Sequence, residues 1–323
     1  MTETTFVWPL LILLSGLLLL WGGGELLVGG ARRLARLWGM PPLLIGLTVV
    51  AFGTSLPELF ISLAASWRGH PEIMLGNVVG SNIANIGLVL ALSLLLVPLR
   101  LSFRTVALEL GLLHLVTALL LALAFYGFFP RLGGVLFVGT LIFYTFQAYR
   151  SSSAAKQAAR HQAAEIEHQP RDGGAIIRAL LLVIGGLAAL AWGSELFIHG
   201  AVAIASYFGV SELVIGLTLA AIGTSLPELA TCLVAIRHRQ DALLVGNIIG
   251  SNLFNLLMVL GVTASLMPFA LPAVLLARDL PVMLAFSLAL LIILAWRQKM
   301  GRLFGGVLLA GYLLYIALLV VTG

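Results

Sequence analysis

Apolar residues run along this chain in long stretches, without the alternating or three-to-four spacing of elements that keep one face wet. A helix needs about 20 mostly apolar residues to cross a bilayer core about 30 Å thick. Ten stretches meet that length: 6–31, 41–66, 72–97, 104–128, 132–149, 175–207, 212–236, 242–267, 273–295 and 303–321. The pattern predicts an all-α membrane protein with ten transmembrane helices. One long polar segment, Arg150 to Gly174, separates the fifth stretch from the sixth. Its Ala- and Gln-rich middle reads as a solvated helix. His161, Glu165 and His168 belong to that wet face, because no apolar shell would hold a metal there.

Composition agrees. The 323 residues are 61% hydrophobic and 10% charged, where a soluble domain carries about a quarter charged residues. A soluble fold and a disordered chain are both excluded. The lone Cys232 excludes a disulfide within the chain and any cysteine-based cluster, and it reads as a small buried side chain. The net charge of +5 forms no basic stripe, so nucleic acid is not a partner; the bilayer is. Glu3 stands where a signal peptide would be basic, and the first apolar run is too long for one, so it reads as the first membrane helix. Lysine and arginine collect on the cytoplasmic side. With the N-terminus outside and ten alternating spans, the outer ends hold only Arg68, Arg131 and Arg278 of the 18 basic residues. Both termini are therefore expected outside and the central loop in the cytoplasm, in a multi-pass protein of the plasma membrane (the inner membrane, if bacterial).

The chain repeats itself. Residues 41–60, PPLLIGLTVVAFGTSLPELF, match 211–230, SELVIGLTLAAIGTSLPELA, at 13 of 20 positions and an offset of 170. The same offset pairs GNVVGSNIAN (76–85) with GNIIGSNLFN (246–255), Glu25 with Glu195, and Pro98 with Pro268. RLGGVL at 131–136 recurs loosely as RLFGGVL at 302–308. The expected organisation is a first five-helix repeat over 1–149, with its core at 41–97, a loop over 150–174, and a second repeat over 175–323, with its core at 211–267. Five spans per half make the second copy enter the membrane from the opposite side, an inverted repeat of the kind found in secondary transporters. A duplication without functional meaning would not keep its best matches in polar segments inside apolar spans.

Ionisable groups within a membrane are costly and point to function. Glu58 and Glu228 each lie inside a second-of-five helix, in the motif Gly-Thr-Ser-Leu-Pro-Glu. Pro57 lacks an N–H, so the Gly53 carbonyl loses its usual partner and the helix should break there, leaving free carbonyls near Ala51 to Gly53. Irregular backbone at that depth has to line a cavity. Thr54 and Ser55 precede Glu58 by four and three residues and can share its face; Thr224, Ser225 and Glu228 repeat the arrangement. In the third helices of each half, also expected to be broken, Ser81 and Asn85 share a face, as do Ser251 and Asn255. The glycines at 76, 80, 246 and 250 suit close helix packing. The bland reading of the serines and asparagines is bonding between helices. Matched copies facing two carboxylates favour ligation. Every donor in the set is oxygen, which suits calcium, magnesium or sodium and not zinc or copper. Glu25 and Glu195 pair with arginine, line an ion path, or are structural; His114 and His199 read as structural.

At these residues the chain resembles the cation/calcium antiporter superfamily, and within it the bacterial members of the sodium/calcium exchanger branch. The two GTSLPEL segments, each followed by its GNxxGSN segment, look like that family's α-repeats, and the ten-helix layout matches along nearly the whole chain. The resemblance implies a central site of four cation positions, reached from either side in turn, with calcium and sodium as transported ions and no cofactor. By matching position, Glu58 and Glu228 would be the central carboxylates. Ala51, Ala221, Thr54 and Thr224 would supply carbonyls, and Ser55, Ser225, Ser81 and Ser251 hydroxyls. Asn85 and Asn255 would line the middle position. The family's gate implies first and sixth helices that slide over the rest. Several members carry aspartate at the position of Asn255. Asparagine in both copies limits this set to two negative charges, which calcium neutralises and three sodium ions exceed by one, leaving room for a 2:1 or proton-coupled cycle. The proton/calcium branch typically has an acidic residue after GNxx, where this chain has Gly80 and Gly250. That departure favours sodium. The expected function is sodium/calcium antiport, with calcium leaving the cytoplasm. The alternative is proton/calcium antiport with Glu58 and Glu228 as proton carriers. A membrane protease is excluded by Asp172, Asp241 and Asp279 lying near span ends and by the absence of GxSxG and HExxH. Paired buried carboxylates on inverted repeats also suit alternating access better than a channel.

Overall fold

The computed structural model describes residues 4–162, 173–209, 223–297 and 299–322. Among these, nine helices are long and apolar enough to cross a membrane. In chain order the first runs Thr4–Trp38, the second Pro42–Trp67, the third Pro71–Leu96, the fourth Phe103–Phe125 and the fifth Arg131–Gln162. The sixth runs Gly173–Tyr207, the eighth Asp241–Leu266, the ninth Leu275–Arg297 and the tenth Arg302–Thr322. Of the seventh expected span, Leu226–Arg237 is helical, while 210–222, including Ala221, lies outside the described residues. The fifth helix continues to Gln162, well into the polar segment read as a loop. Its polar last turns have no need of hydrocarbon, so the apolar run marks the span and not the helix.

The protein is nearly all-helical rather than all-α, because four two-residue strands form at helix ends. β1 (Leu99–Arg100) pairs antiparallel with β4 (Lys299–Met300), and β2 (Phe128–Phe129) with β3 (Phe269–Ala270). Leu99 faces Met300, and Phe269 faces Phe129. These registers interchange when the halves are exchanged, Leu99 with Phe269 at the 170 offset and Phe129 with Met300 at the 171 offset of the loosely matched segment.

The second helix is interrupted at a single residue, and in the described part of the seventh a turn at Thr224 and Ser225 precedes the helix. Ser55 (φ −86°, ψ 2°) separates helix Ala51–Thr54 from helix Leu56–Trp67, and Ser225 (φ −89°, ψ 3°) precedes helix Leu226–Arg237. Each proline sits in the first turn of the new helix, where an N–H has no intrahelical use. The Ala51 carbonyl expected to stand free instead accepts the Ser55 N–H at 3.0 Å and adjoins the Thr54 hydroxyl at 3.4 Å. The third and eighth helices are not broken, contrary to expectation. They widen to π-helix over Asn85–Leu90 and Asn255–Leu260 and continue as α-helix. A π-turn changes the direction of side chains without freeing a whole turn of backbone, so the membrane interior demands no break.

Glycine sets the closest approaches. A Cβ at Gly46 of the second helix would lie 3.2 Å from the Gly246 Cα of the eighth, and one at Gly246 would lie 3.0 Å from the Leu47 nitrogen. A Cβ at Gly250 would likewise lie 2.8 Å from the Leu47 oxygen. These contacts put the backbones of the second and eighth helices together where their motifs meet. The first and sixth helices meet through Gly16, Gly23 and Gly30 on one side and Gly186, Gly193 and Gly200 on the other, spaced by seven on each. Gly16 faces Phe197 while Gly30 faces Ala179 and Val183, so the two helices run antiparallel. A Cβ at Gly246 has no room to be relieved by a side-chain rotation, because backbone blocks it. Gly246→Ala is expected to cost about 1–3 kcal/mol, the range for overpacking, and to lower the melting temperature of the detergent-solubilised protein. Gly29→Ala, whose Cβ meets nothing within 4 Å, should leave that temperature unchanged or raise it.

Candidate cation site

The two serine breaks begin new helices with a glutamate in the first turn, Glu58 in one and Glu228 in the other. A helix N-terminus carries about half a positive charge and favours a carboxylate there. Both glutamates are fully buried, and each lies within electrostatic reach of the other. The third and eighth helices bring the GNxxGSN residues against them. Thr54, Ser55, Ser81, Asn85, Ser225, Ser251 and Asn255 are all buried, and Thr224 is partly so.

Bonds between the halves follow the repeat. The Thr54 hydroxyl lies 3.3 Å from that of Ser251, and the Ser81 hydroxyl lies 3.2 Å from that of Thr224. These are one contact made twice, with the halves exchanged. Thr54 and Ser251 also adjoin the Glu228 carboxylate. Asn85 donates from Nδ2 to Asn252 Oδ1 at 3.1 Å. Of the predicted set, Thr54 meets Ser251 and Ser81 meets Thr224 across the halves; Ser55, Ser225 and Asn255 are buried without such a contact, Ala221 lies outside the described residues, and the bonding between helices that competed with ligation is present.

What remains unpaired is distinctive. Among the described residues, both carboxylate oxygens of Glu58 and both of Glu228 are buried without a well-formed hydrogen bond, although the Thr54 and Ser251 hydroxyls adjoin Glu228. So are the hydroxyls of Ser55 and Ser225, Oδ1 of Asn82 and of Asn85, and both polar atoms of the Asn255 amide. Buried polar groups are nearly always satisfied, and each one left bare costs about 1–3 kcal/mol. Most of these atoms are acceptors.

Two asparagines in each GNxxGSN motif were not singled out from sequence. Asn77 donates to the Glu58 backbone carbonyl at 3.2 Å and to the Ser62 hydroxyl at 3.0 Å, tying the third helix to the glutamate-bearing turn. Its counterpart Asn247 accepts from the Thr54 hydroxyl at 3.3 Å and donates to the Cys232 sulfur at 3.7 Å. Cys232 thus occupies the position of Ser62. Asn82 and Asn252 supply the buried amide oxygens already named. The signal was available, since both asparagines recur at the 170 offset.

Three other acids along the helices, Glu25, Glu109 and Asp279, have protein partners. Glu25 is held by Arg237 and His238, each at 2.6 Å, so it is a paired carboxylate; Glu195 is exposed. His114 bonds the Leu110 oxygen at 2.7 Å, and His199 is exposed. Sequence reasoning passed over Glu109 of the fourth helix, which is buried and accepts from the Tyr144 hydroxyl of the fifth at 3.1 Å. It also placed Asp279 merely near a span end. Asp279 accepts from Tyr315 at 3.0 Å and from its neighbour Arg278 at 2.8 Å. Tyr144 and Tyr315, like Glu109 and Asp279, are repeat counterparts, so each half fastens its last two helices with the same bond.

A family model described as sodium/calcium exchanger protein matches residues 8–150 and 178–321. The sodium/calcium exchanger MaX1 of Methanosarcina acetivorans is 33% identical, with 96% of this chain and 97% of that one covered. The inner membrane protein YrbG of Escherichia coli is 38% identical, with 95% of each covered. Among solved structures, the sodium-calcium exchanger NCX_Mj soaked with 10 mM Na+ and no Ca2+ superposes with a TM-score of 0.82 at 33% identity, covering 97% of this chain and 99% of that one. The same exchanger soaked with 10 mM Na+ and 10 mM Sr2+ gives 0.81. The nearly all-helical membrane fold, the doubled motif and these matches over almost the full length agree: the chain belongs to the sodium/calcium exchanger family of multi-pass membrane antiporters, which are transporters and not enzymes.

Proposed function

We propose that this protein exchanges sodium for calcium across the membrane by alternating access, moving calcium out of the cytoplasm through the site around Glu58 and Glu228. The observation that carries this reading is the contrast among buried acids. Glu109 and Asp279 each accept from a tyrosine hydroxyl, whereas among the described residues the carboxylate oxygens of Glu58 and Glu228 make no such bond, with only the Thr54 and Ser251 hydroxyls adjoining Glu228. A pair of buried charges needs its compensation from somewhere, and here it comes from the cargo. The ligands are Glu58, Glu228, the backbone carbonyls of Thr54 and Thr224, the hydroxyls of Ser55, Ser81, Ser225 and Ser251, and the amides of Asn85 and Asn255. Ala51 and Ala221 contribute carbonyls; the Ala51 oxygen has a second lone pair beyond the one taken by Ser55. Calcium takes six to eight oxygens in loose geometry, which this set supplies without histidine or cysteine.

The repeat organisation belongs to the same proposal. Residues 1–149 and 175–323 form inverted halves with ten crossings in total, both termini outside and the central loop in the cytoplasm. The strand pairs support it. The segment holding β1 lies six spans before the one holding β4, and that holding β2 lies four spans before the one holding β3, counting 212–236 as the seventh. Both counts are even, so paired strands fall on the same membrane face only if 212–236 crosses. Gly80 and Gly250, in place of an acid after GNxx, support sodium over protons as the coupling ion.

In proteoliposomes loaded with sodium, radioactive calcium uptake is expected to require the internal sodium. Glu58→Gln and Glu228→Gln should each reduce it by at least about tenfold, the lower bound for disturbing even groups behind metal ligands. Uptake driven by a pH step with choline replacing sodium would transfer the protein to proton coupling. Loss of function without loss of fold is checked by the variants' melting temperatures. Asn77→Ala removes the anchors to the Glu58 turn and to Ser62 but no proposed ligand. It is expected to raise the half-saturating calcium concentration about 10–100-fold, read from the concentration dependence of initial uptake. An unchanged value would show that Asn77 only packs.

A further inference from the structure

The first helix carries a charged cluster that the cation site does not use. Glu25 Oε1 accepts from Arg237 Nη1 at 2.6 Å, and Glu25 Oε2 lies 2.6 Å from His238 Nε2. Arg32 Nη1, two turns on, reaches His238 Nδ1 at 3.5 Å. The Arg237 guanidinium stacks over Trp21 with 5.4 Å to the ring centroid. Arg237 and His238 end the seventh helix, so every one of these contacts joins the first helix to that end.

The repeat provides a second set of parts, and it is disengaged. At the 170 offset Glu195 corresponds to Glu25, Arg68 to His238 and Trp67 to Arg237. Arg68 ends the second helix as His238 ends the seventh. Yet Glu195 and Arg68 are both exposed, and among the described residues neither has an ion-pair partner. One half of a duplicated device is closed and the other is open.

The mounting of the two glutamates gives this asymmetry a consequence. Both ride on the antiparallel pair formed by the first and sixth helices, whose backbones are locked together through the six glycines spaced by seven. Among the described residues that pair makes the most extensive helix contact, far larger than its contacts with the second helix and with Leu226–Arg237 of the seventh. It therefore moves as one body more easily than it comes apart. The partners at the ends of the second and seventh helices lie on opposite membrane faces in the ten-span topology. A displacement of the pair toward one face brings one glutamate to its partner and takes the other away.

We propose that Glu25 with Arg237 and His238, and Glu195 with Arg68, are alternative latches, each closed in one access state of the antiporter and open in the other. This rests on the alternating-access reading above. The strength suits the role. The Arg237 and Glu25 side chains are 58% and 30% exposed, and an ion pair so placed shifts a population by about fivefold at most, enough to bias a two-state equilibrium without trapping it.

The test uses the full chain in a Cys232→Ser background, serine being what the repeat carries at Ser62. A protease site is placed in the 150–174 segment, so that a cross-link between the halves holds the fragments together on a gel. Glu25→Cys/His238→Cys and Glu195→Cys/Arg68→Cys are each oxidised in proteoliposomes. Both pairs are expected to cross-link, and a chain carrying all four cysteines should form only one bridge per molecule. Adding Glu25→Gln to the Glu195→Cys/Arg68→Cys variant should raise its cross-linking rate about fivefold. The proposal is overturned if the second pair never forms, if both bridges form in one molecule, or if Glu25→Gln leaves the rate unchanged. Calcium flux is followed in the same vesicles before oxidation. Alternating cross-links without sodium-dependent flux would sink the exchange reading and leave the latches standing, while flux without the second cross-link would do the reverse.

Discussion

The structure depends on burying two carboxylates, Glu58 and Glu228, with no cationic side chain paired to either among the described residues. At effective dielectric constants of 4–20, two like charges a few ångströms apart repel strongly, and each also loses its hydration. Everything around Glu58 and Glu228 answers that difficulty. The serine breaks start fresh helices whose positive ends lie at the glutamates. Glycine at 46, 246 and 250 draws the two motif-bearing helices close enough for side chains of both halves to converge. Asn77 then fixes the Glu58 turn by its own backbone, leaving the carboxylate free for a ligand.

Duplication solves the problem economically, because one set of local instructions builds both walls of the site. Thr54 with Ser251, and Ser81 with Thr224, are the same contact reached from opposite halves. The bonds of Tyr144 with Glu109 and of Tyr315 with Asp279 fasten the outer helices in the same doubled way. The departures are where the halves have acquired separate properties. Cys232 stands for Ser62 behind one glutamate, which replaces a hydroxyl partner of asparagine with a weak thiol. Arg278 accompanies Asp279, while Leu108 precedes Glu109. Asn85 has an amide partner across the site, and the counterpart Asn255 has none.

Sequence legibility followed the size of the energy involved. Spans were readable because exposure to hydrocarbon forces twenty apolar residues in a row, and the described helices overlap the predicted stretches. The convergence of Thr54, Ser81, Thr224 and Ser251 was readable because polar residues repeated inside apolar runs have few other uses. The form of the third and eighth helices was not readable. Asn85 and Asn255 open π-turns, and the difference between a π-turn and a break is set by packing that the sequence does not display locally. The fifth helix outran its hydrophobic stretch because helix propensity, unlike membrane insertion, does not require apolar residues. Glu109 was missed because its partner, Tyr144, lies one helix away and 35 residues on. The glycines spaced by seven in the first and sixth helices were in plain view, but only their meeting in antiparallel register gives the spacing a meaning.

The charge of the site also explains why exchange would be coupled. With asparagine at both 85 and 255, the proposed ligands carry two negative charges and no more. Loaded with one calcium ion the site is neutral, and with two sodium ions it is neutral again. Empty, it holds two bare carboxylates. Closing the protein around the empty site would remove from water a pair of charges with no compensation, at several kcal/mol for each ion even after relaxation. Closing around the loaded site removes almost none. A two-state protein shifts only as far as its ligands distinguish the states. In the proposed exchange the distinction would be electrostatic, and it would block passage of the empty carrier. The same paired carboxylates that make the site expensive to fold would thus prevent a leak and oblige two positive charges to return for each two that leave.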